Sequence, residues 1–157
     1  METIKIGIIG CGRISKNHFD AVSQIQEAEF VAACDVIDSR LQTVSDNYGI
    51  KKLYTNYKEM MEKENLDLVS ICTPSGLHPQ IGIDAANHRI NVLTEKPMAT
   101  NIEAADALIR ACDANNVKLF VVKQNRLNST MQLLKRAIDK GRFGRIYLAE
   151  SNVFWQR

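Results

Sequence analysis

The sequence predicts an α/β fold built on a doubly wound parallel sheet, and three observations predict it. Short apolar runs rich in β-branched residues recur along the chain, each bounded by turn or polar residues. Amphipathic stripes at helical spacing lie between them. The apolar runs are nearly continuous rather than alternating, which is the pattern of strands covered on both faces.

In chain order, the strand-like runs are 4–9, 30–34, 66–72, 90–93 and 119–122. The first helical stripe is Ile14, His18, Ala21 with Val22, and Ile25; the second is Leu41, Val44 and Tyr48. Pro79 fits the first turn of a third helix, with His78 near its cap. Ile102, Ala105, Leu108 with Ile109, and Cys112 form the clearest stripe, preceded by Thr100 and Asn101 as N-cap candidates. Leu127, Met131, Leu134 and Ile138 form the last, with Asn128 or Ser129 as its cap and Gly141 after Lys140 as its stop. Residues 145–155 read as a long strand ending in Val153, Phe154 and Trp155, and such a strand needs a partner surface. The expected organisation is one domain over 1–125, with the helix and strand over 126–157 beginning a second, truncated domain.

Composition narrows the function classes. The chain has 157 residues, 45% hydrophobic and 24% charged, the balance of a folded soluble domain. Lys+Arg is 20 and Asp+Glu is 18, a net charge of +2, so charge gives no sign of a nucleic-acid or membrane-surface partner. No apolar run approaches the roughly 20 residues of a membrane span, and the N-terminus lacks signal-peptide features. The expected compartment is therefore the cytoplasm, with reduced thiols. No two of the four cysteines stand in CxxC spacing, so no metal site is expected. Cys34 and Cys72 read as buried thiols, and Cys11, in a glycine-rich turn, as a reachable one.

The chemistry-bearing motifs fall at strand ends. The first strand runs into Gly10-Cys11-Gly12-Arg13-Ile14-Ser15, one residue from G-x-G-x-x-G/A. Gly10 permits a tight turn, and Gly12 lets backbone approach a diphosphate. Ser15 is small enough for the close helix–strand contact. N–H groups at the helix start, around Arg13 and Ile14, would hold the phosphates. Asp35 ends the second strand twenty residues after Ser15, where a carboxylate accepts from ribose hydroxyls. Together these predict a Rossmann-type dinucleotide domain. A carboxylate at Asp35 repels a 2′-phosphate and so favours NAD over NADP. Arg40, five residues on, is either a phosphate partner or a solvated helix residue. Asp38 reads as a helix-cap residue.

The third strand leads into Thr73-Pro74-Ser75-Gly76-Leu77-His78, a loop that belongs in the crevice beyond the strand ends. Thr73, Pro74 and Leu77 would flank the cofactor, and His78 would either hydrogen-bond there or cap the next helix. His18 reads as a semi-buried histidine on an apolar stripe. The fourth strand ends in Thr94-Glu95-Lys96-Pro97. Lys96 faces the same crevice and can exchange a proton with a substrate hydroxyl or donate to its oxygen; the competing reading is an ordinary surface lysine. Glu95 reads as a hydrogen-bonding group on the opposite face. Gln124, Asn125 and Arg126 leave the fifth strand toward the same rim.

The segments GIIGCGRISKNH, ACD, ICTPSGLH, TEKP and GRFGRI, in this order, resemble the Gfo/Idh/MocA oxidoreductases over almost the whole chain. The resemblance implies a nicotinamide-binding N-terminal domain and a C-terminal α/β domain that binds substrate and mediates homo-oligomers. It implies that Glu95 and Lys96 border the nicotinamide, with Lys96 the catalytic lysine and its histidine partner in the second domain. EKPMATN and VVKQNRLN are similar to the family's sugar-nucleotide dehydrogenases of bacterial surface-polysaccharide synthesis. Those oxidise UDP-N-acetylglucosaminuronate at C3. By that resemblance Gln124 serves the cofactor, while Asn125 and Arg126 join Lys96 on the substrate. A free-sugar or inositol dehydrogenase and a non-catalytic dinucleotide sensor are the alternatives. Residues 1–157 alone are expected to bind NAD weakly and to turn over no sugar.

Overall fold

The computed structural model of the chain describes residues 3–154, and the chain divides into two units, Met1–Val122 and Lys123–Arg157. The first unit carries strands β1 (Ile4–Ile9), β2 (Ala28–Cys34), β3 (Lys52–Tyr54), β4 (Leu68–Ile71), β5 (Asn91–Thr94) and β6 (Leu119–Val121). Its helices are α1 (Ser15–Val22), α2 (Asp38–Tyr48), α3 (Tyr57–Lys63), α4 (His78–Asn87) and α5 (Ile102–Ala114). Every ladder is parallel, and the strand order is β3-β2-β1-β4-β5-β6. Strand order reverses between β1 and β4, and a crevice opens beyond the carboxyl ends at such a reversal.

Successive strand side chains point to opposite faces, so a doubly covered strand must be apolar at consecutive positions. Ile8 and Ile9 illustrate this. Ile8 packs with Ala33, Phe19, Leu41 and Val44 under α1 and α2. Ile9 packs with Val69, Ile71, Met60, Ile81 and Leu108 under α3, α4 and α5. Phe19 of α1 stacks on Tyr48 at 4.2 Å between ring centroids and meets Phe30 edge-on at 4.8 Å. Asn101 accepts the Ala104 N–H at 2.8 Å and so caps α5, as its position in the sequence predicts.

Three features depart from the sequence reading. β3 and α3 were not expected, because β3 has only three residues and α3 only seven, too short for a periodicity to develop. Asn56, whose side chain accepts the Lys58 N–H at 2.9 Å, is the signal that marks α3. α1 stops at Val22, and Ile25, expected on its stripe, is exposed. The long strand expected over 145–155 is not formed: residues 145–154 join no ladder. A strand exists through bonds to a neighbouring strand, and alternating apolar residues without one stay irregular. Trp155 lies outside the described residues.

The second unit, taken by itself, has among the described residues a 3-10 turn over Gln124–Leu127 and one helix, α6 (Ser129–Asp139). Asn128 occupies its N-cap without a side-chain bond, and Gly141 follows its end with φ +66°. Leu127, Met131, Leu134 and Ile138 are exposed.

Candidate functional site

A cleft of about 490 Å³ opens beyond β1, β2 and β4. Seven residues expected at the cofactor line it: Gly10, Gly12, Asp35, Arg40, Thr73, Pro74 and Leu77. Val36, Thr55, Tyr57, Gln80 and Ile81 line it too, and the sequence reading missed them. Thr55 and Tyr57 follow β3, the strand that was not foreseen. Gln80 and Ile81 lie in the first turn of α4, where the placement of Pro79 would have located them. A larger groove of about 640 Å³ beside β3 is walled by Lys51, Lys52, Lys63, Asp38 and Glu59, which solvent reaches. It contains none of the strand-end motifs.

The glycine turn is held from two sides. Gly10 has φ +92°, and a Cβ there would lie 2.7 Å from the Cys72 carbonyl carbon, so the turn packs on the exit of β4. At Gly12 a Cβ would meet nothing within 4 Å among the described residues. That open space lies on the cleft. Asp35, buried, accepts the Cys11 N–H at 2.7 Å and the Ile37 N–H at 2.9 Å. Its carboxylate therefore fixes the glycine turn as well as facing the cleft. Arg40 Nη1 donates to Asp35 at 3.4 Å, so Arg40 is engaged by the carboxylate and half-exposed. Ser15 is buried and donates to the Gly12 carbonyl at 2.6 Å, closing the first turn of α1 without a side-chain cap on its N-terminus. Arg13 and Ile14 stand exposed at that turn and do not line the cleft.

These features fit a dinucleotide. Uncapped N–H groups and an open glycine suit a diphosphate. Thr73 lines the cleft, and its hydroxyl is buried without a partner among the described residues.

Lys96 is exposed just past β5. The ladder ends with the Glu95 N–H, which donates to the Ile71 carbonyl at 3.0 Å. Glu95 is buried away from the cleft lining: one carboxylate oxygen meets His18 Nε2 at 3.1 Å and the other accepts the Lys96 N–H at 3.1 Å. On the other side of Lys96, across a cis Lys96–Pro97 bond, the Pro97 carbonyl meets His78 Nδ1 at 2.9 Å. His78 Nε2 meets the Thr73 carbonyl at 2.8 Å. His78 is thus a buried link between two crevice loops, not a cleft residue. Gln124, Asn125 and Arg126 are exposed on the 3-10 turn of the second unit.

The thiols near the turn are buried. Burial, reinforced by the Asp35 charge, pushes Cys11 and Cys34 up to about 12. Burial does the same for Cys72, against a lowering hydrogen bond from Ser70. Cys11, expected to be reachable, is buried. Among the described residues no group of three His, Cys, Asp or Glu side chains is placed to hold a metal ion. No helix there is long and apolar enough to cross a membrane.

A glycine turn at the reversal of a six-stranded parallel sheet, with a carboxylate at the second strand's end, defines a dinucleotide-binding α/β domain. The chain belongs to the Gfo/Idh/MocA oxidoreductase family, whose NAD-binding Rossmann-fold domain its residues 4–123 match. It is 46% identical to the WlbA dehydrogenase of Bordetella pertussis, solved with NADH and UDP-GlcNAcA; the TM-score is 0.90 over 93% of this chain and 45% of that one. It is 30% identical to the myo-inositol 2-dehydrogenase of Lactobacillus plantarum, with a TM-score of 0.87 over 92% and 43% of the two chains. D-apiose dehydrogenase of Paraburkholderia graminis is 33% identical over 157 residues, all of this chain and 40% of that protein. The chain spans less than half the length of these relatives.

Proposed function

We propose that the protein is an NAD-dependent dehydrogenase that oxidises a ring hydroxyl of a UDP-linked sugar acid, the C3 hydroxyl of UDP-N-acetylglucosaminuronate. One juxtaposition carries the reading: Gly12 with its open face, Asp35, and Thr73, whose hydroxyl has no partner among the described residues, all line one cleft. The 46% identity to a dehydrogenase solved with NADH and UDP-GlcNAcA supports the sugar-nucleotide substrate.

NAD⁺, when bound, supplies the two-electron acceptor. Gly12 and the first turn of α1 hold its diphosphate, and Asp35 accepts from the ribose hydroxyls. The Asp35 charge, with Arg40 already turned to it, disfavours a 2′-phosphate. Pro74 and Leu77 pack on the cofactor from the β4 side. As the carbon gives up its hydride to the bound acceptor and becomes a ketone, Lys96 Nζ would take the proton of the substrate hydroxyl, or would hold that oxygen by donation while the second-domain histidine implied by the family resemblance takes the proton. The roles of Gln124, Asn125 and Arg126 rest on sequence resemblance alone.

The test is Lys96→Met in the protein at full length. General acid–base assistance contributes about 10²-fold or more, so kcat on UDP-N-acetylglucosaminuronate falls by at least about 100-fold while NADH affinity stays unchanged. An unaffected kcat overturns the role of Lys96. Turnover of free inositol in preference to the nucleotide sugar would establish the second reading, which the 30% identity to an inositol dehydrogenase favours.

A further inference from the structure

We infer that His18, acting through Glu95, is the positioning residue for Lys96, and so links the glycine-turn helix to the catalytic amine; this rests on the dehydrogenase reading above. Lys96 is the first residue beyond the β5 ladder, and its N–H has no strand to bond. The Glu95 carboxylate takes that N–H at 3.1 Å. His18 holds the same carboxylate at 3.1 Å and meets Ser70 Oγ of β4 at 2.9 Å through Nδ1. All three side chains are withdrawn from water: Ser70 is 1% exposed, Glu95 8%, and the His18 side chain 9%.

A buried acid, imidazole and hydroxyl cost stability compared with apolar packing unless every partner is satisfied. Here each has a partner: Ser70 Oγ pairs with Nδ1, Nε2 of His18 pairs with one Glu95 oxygen, and the other Glu95 oxygen accepts the Lys96 N–H. The chain of bonds runs from β4 through α1 to one N–H, the one that fixes where the Lys96 side chain departs. His18 lies three residues after Ser15, the residue that closes the glycine turn. One short helix therefore sets both the seat of the diphosphate and the aim of the amine. Core packing alone explains neither the polarity of the three groups nor their convergence on that position.

The experiment compares His18→Gln with His18→Asn. The Gln amide nitrogen falls where Nε2 stands and keeps the bond to Glu95. Asn is as polar but reaches only the Ser70 side. Amide hydrogen exchange at Lys96 is read against the amides of β1 in the same spectra, so general loosening is separated from the local effect. A hydrogen bond to a charged group is worth enough that Lys96 exchange should rise at least about 10-fold in His18→Asn and stay near the parent in His18→Gln. At full length, misplacement of the amine should lower kcat by about 10²-fold in His18→Asn with unchanged NADH affinity, and His18→Gln should recover most of it. Equal Lys96 exchange in the three proteins overturns the inference. If His18→Asn fails to fold, Ser70→Ala replaces it: raised Lys96 exchange supports the link and parental exchange overturns it. A parent chain that binds no NADH overturns the dehydrogenase reading instead, and the exchange comparison still decides the inference.

Discussion

At Gly10 an added methyl would sit 2.7 Å from the Cys72 carbonyl carbon, whereas at Gly12 it would meet open cleft. The two positions should therefore respond in different assays. Gly10→Ala forces a positive φ on a residue with a Cβ and drives it into backbone that cannot yield. It should lose at least about 1–3 kcal/mol of stability, read by denaturant unfolding. Gly12→Ala should unfold with the parent yet bind NADH at least about 10-fold more weakly, read by fluorescence titration. Both glycines were legible from their spacing and from the strand before them. The second job of Asp35 was not. A motif predicts a carboxylate at a strand end, but not that one oxygen will hold the Cys11 N–H across a sequence separation of 24. Glu95 is similar: its residue type was read correctly as hydrogen-bonding, while its partner on α1 lies 77 positions away.

Elements with long stripes and marked ends were easy to read. α5 carries Leu108 and Cys112 into the core and has Asn101 at its start, so its position followed from the sequence. Asn101→Ala should cost about 1 kcal/mol, because the Ala104 N–H loses its acceptor; urea unfolding measures this. β3 is the counter-example. Lys52, Leu53 and Tyr54 give no period, and β3 exists because its backbone completes the edge beside β2. Residues 145–154 fail in the opposite direction: their pattern suits a strand, but pattern does not supply a neighbour.

For the molecule as a whole, strand–helix alternation and one glycine loop were enough to give the α/β class and to point to the strand ends, where the cleft opens. In the second unit the helix was legible from its stripe, its Asn128 cap position and Gly141, whereas the strand expected after it is not formed. The buried thiols give the first unit a predictable alkaline limit. Cys11, Cys34 and Cys72 have folded values of about 12 against an ordinary 9.0. Below pH 9 both states keep the proton, and the stability this confers is fully present. As pH rises from 9 toward 12 the unfolded chain ionises first, so stability is lost. Tyr54 and Tyr57, held at about 12 against an ordinary 10.0, steepen the loss at the upper end. Melting temperature should fall markedly above pH 9, and the double variant Cys34→Ala with Cys72→Ala should show a shallower fall over the same range.

Grafting offers another view of the stretch around Lys96. Moved into a different parallel sheet, residues 94–97 would carry the amine but lose its aim. On the positioning proposed above, that aim comes from His18 of α1, Ser70 of β4 and His78 of α4, whose bonds hold Glu95 and Pro97 on either side of it. A protein engineer borrowing this lysine would have to import those three neighbours with it, and a search for related sites should look for the whole quartet in space rather than for a tetrapeptide.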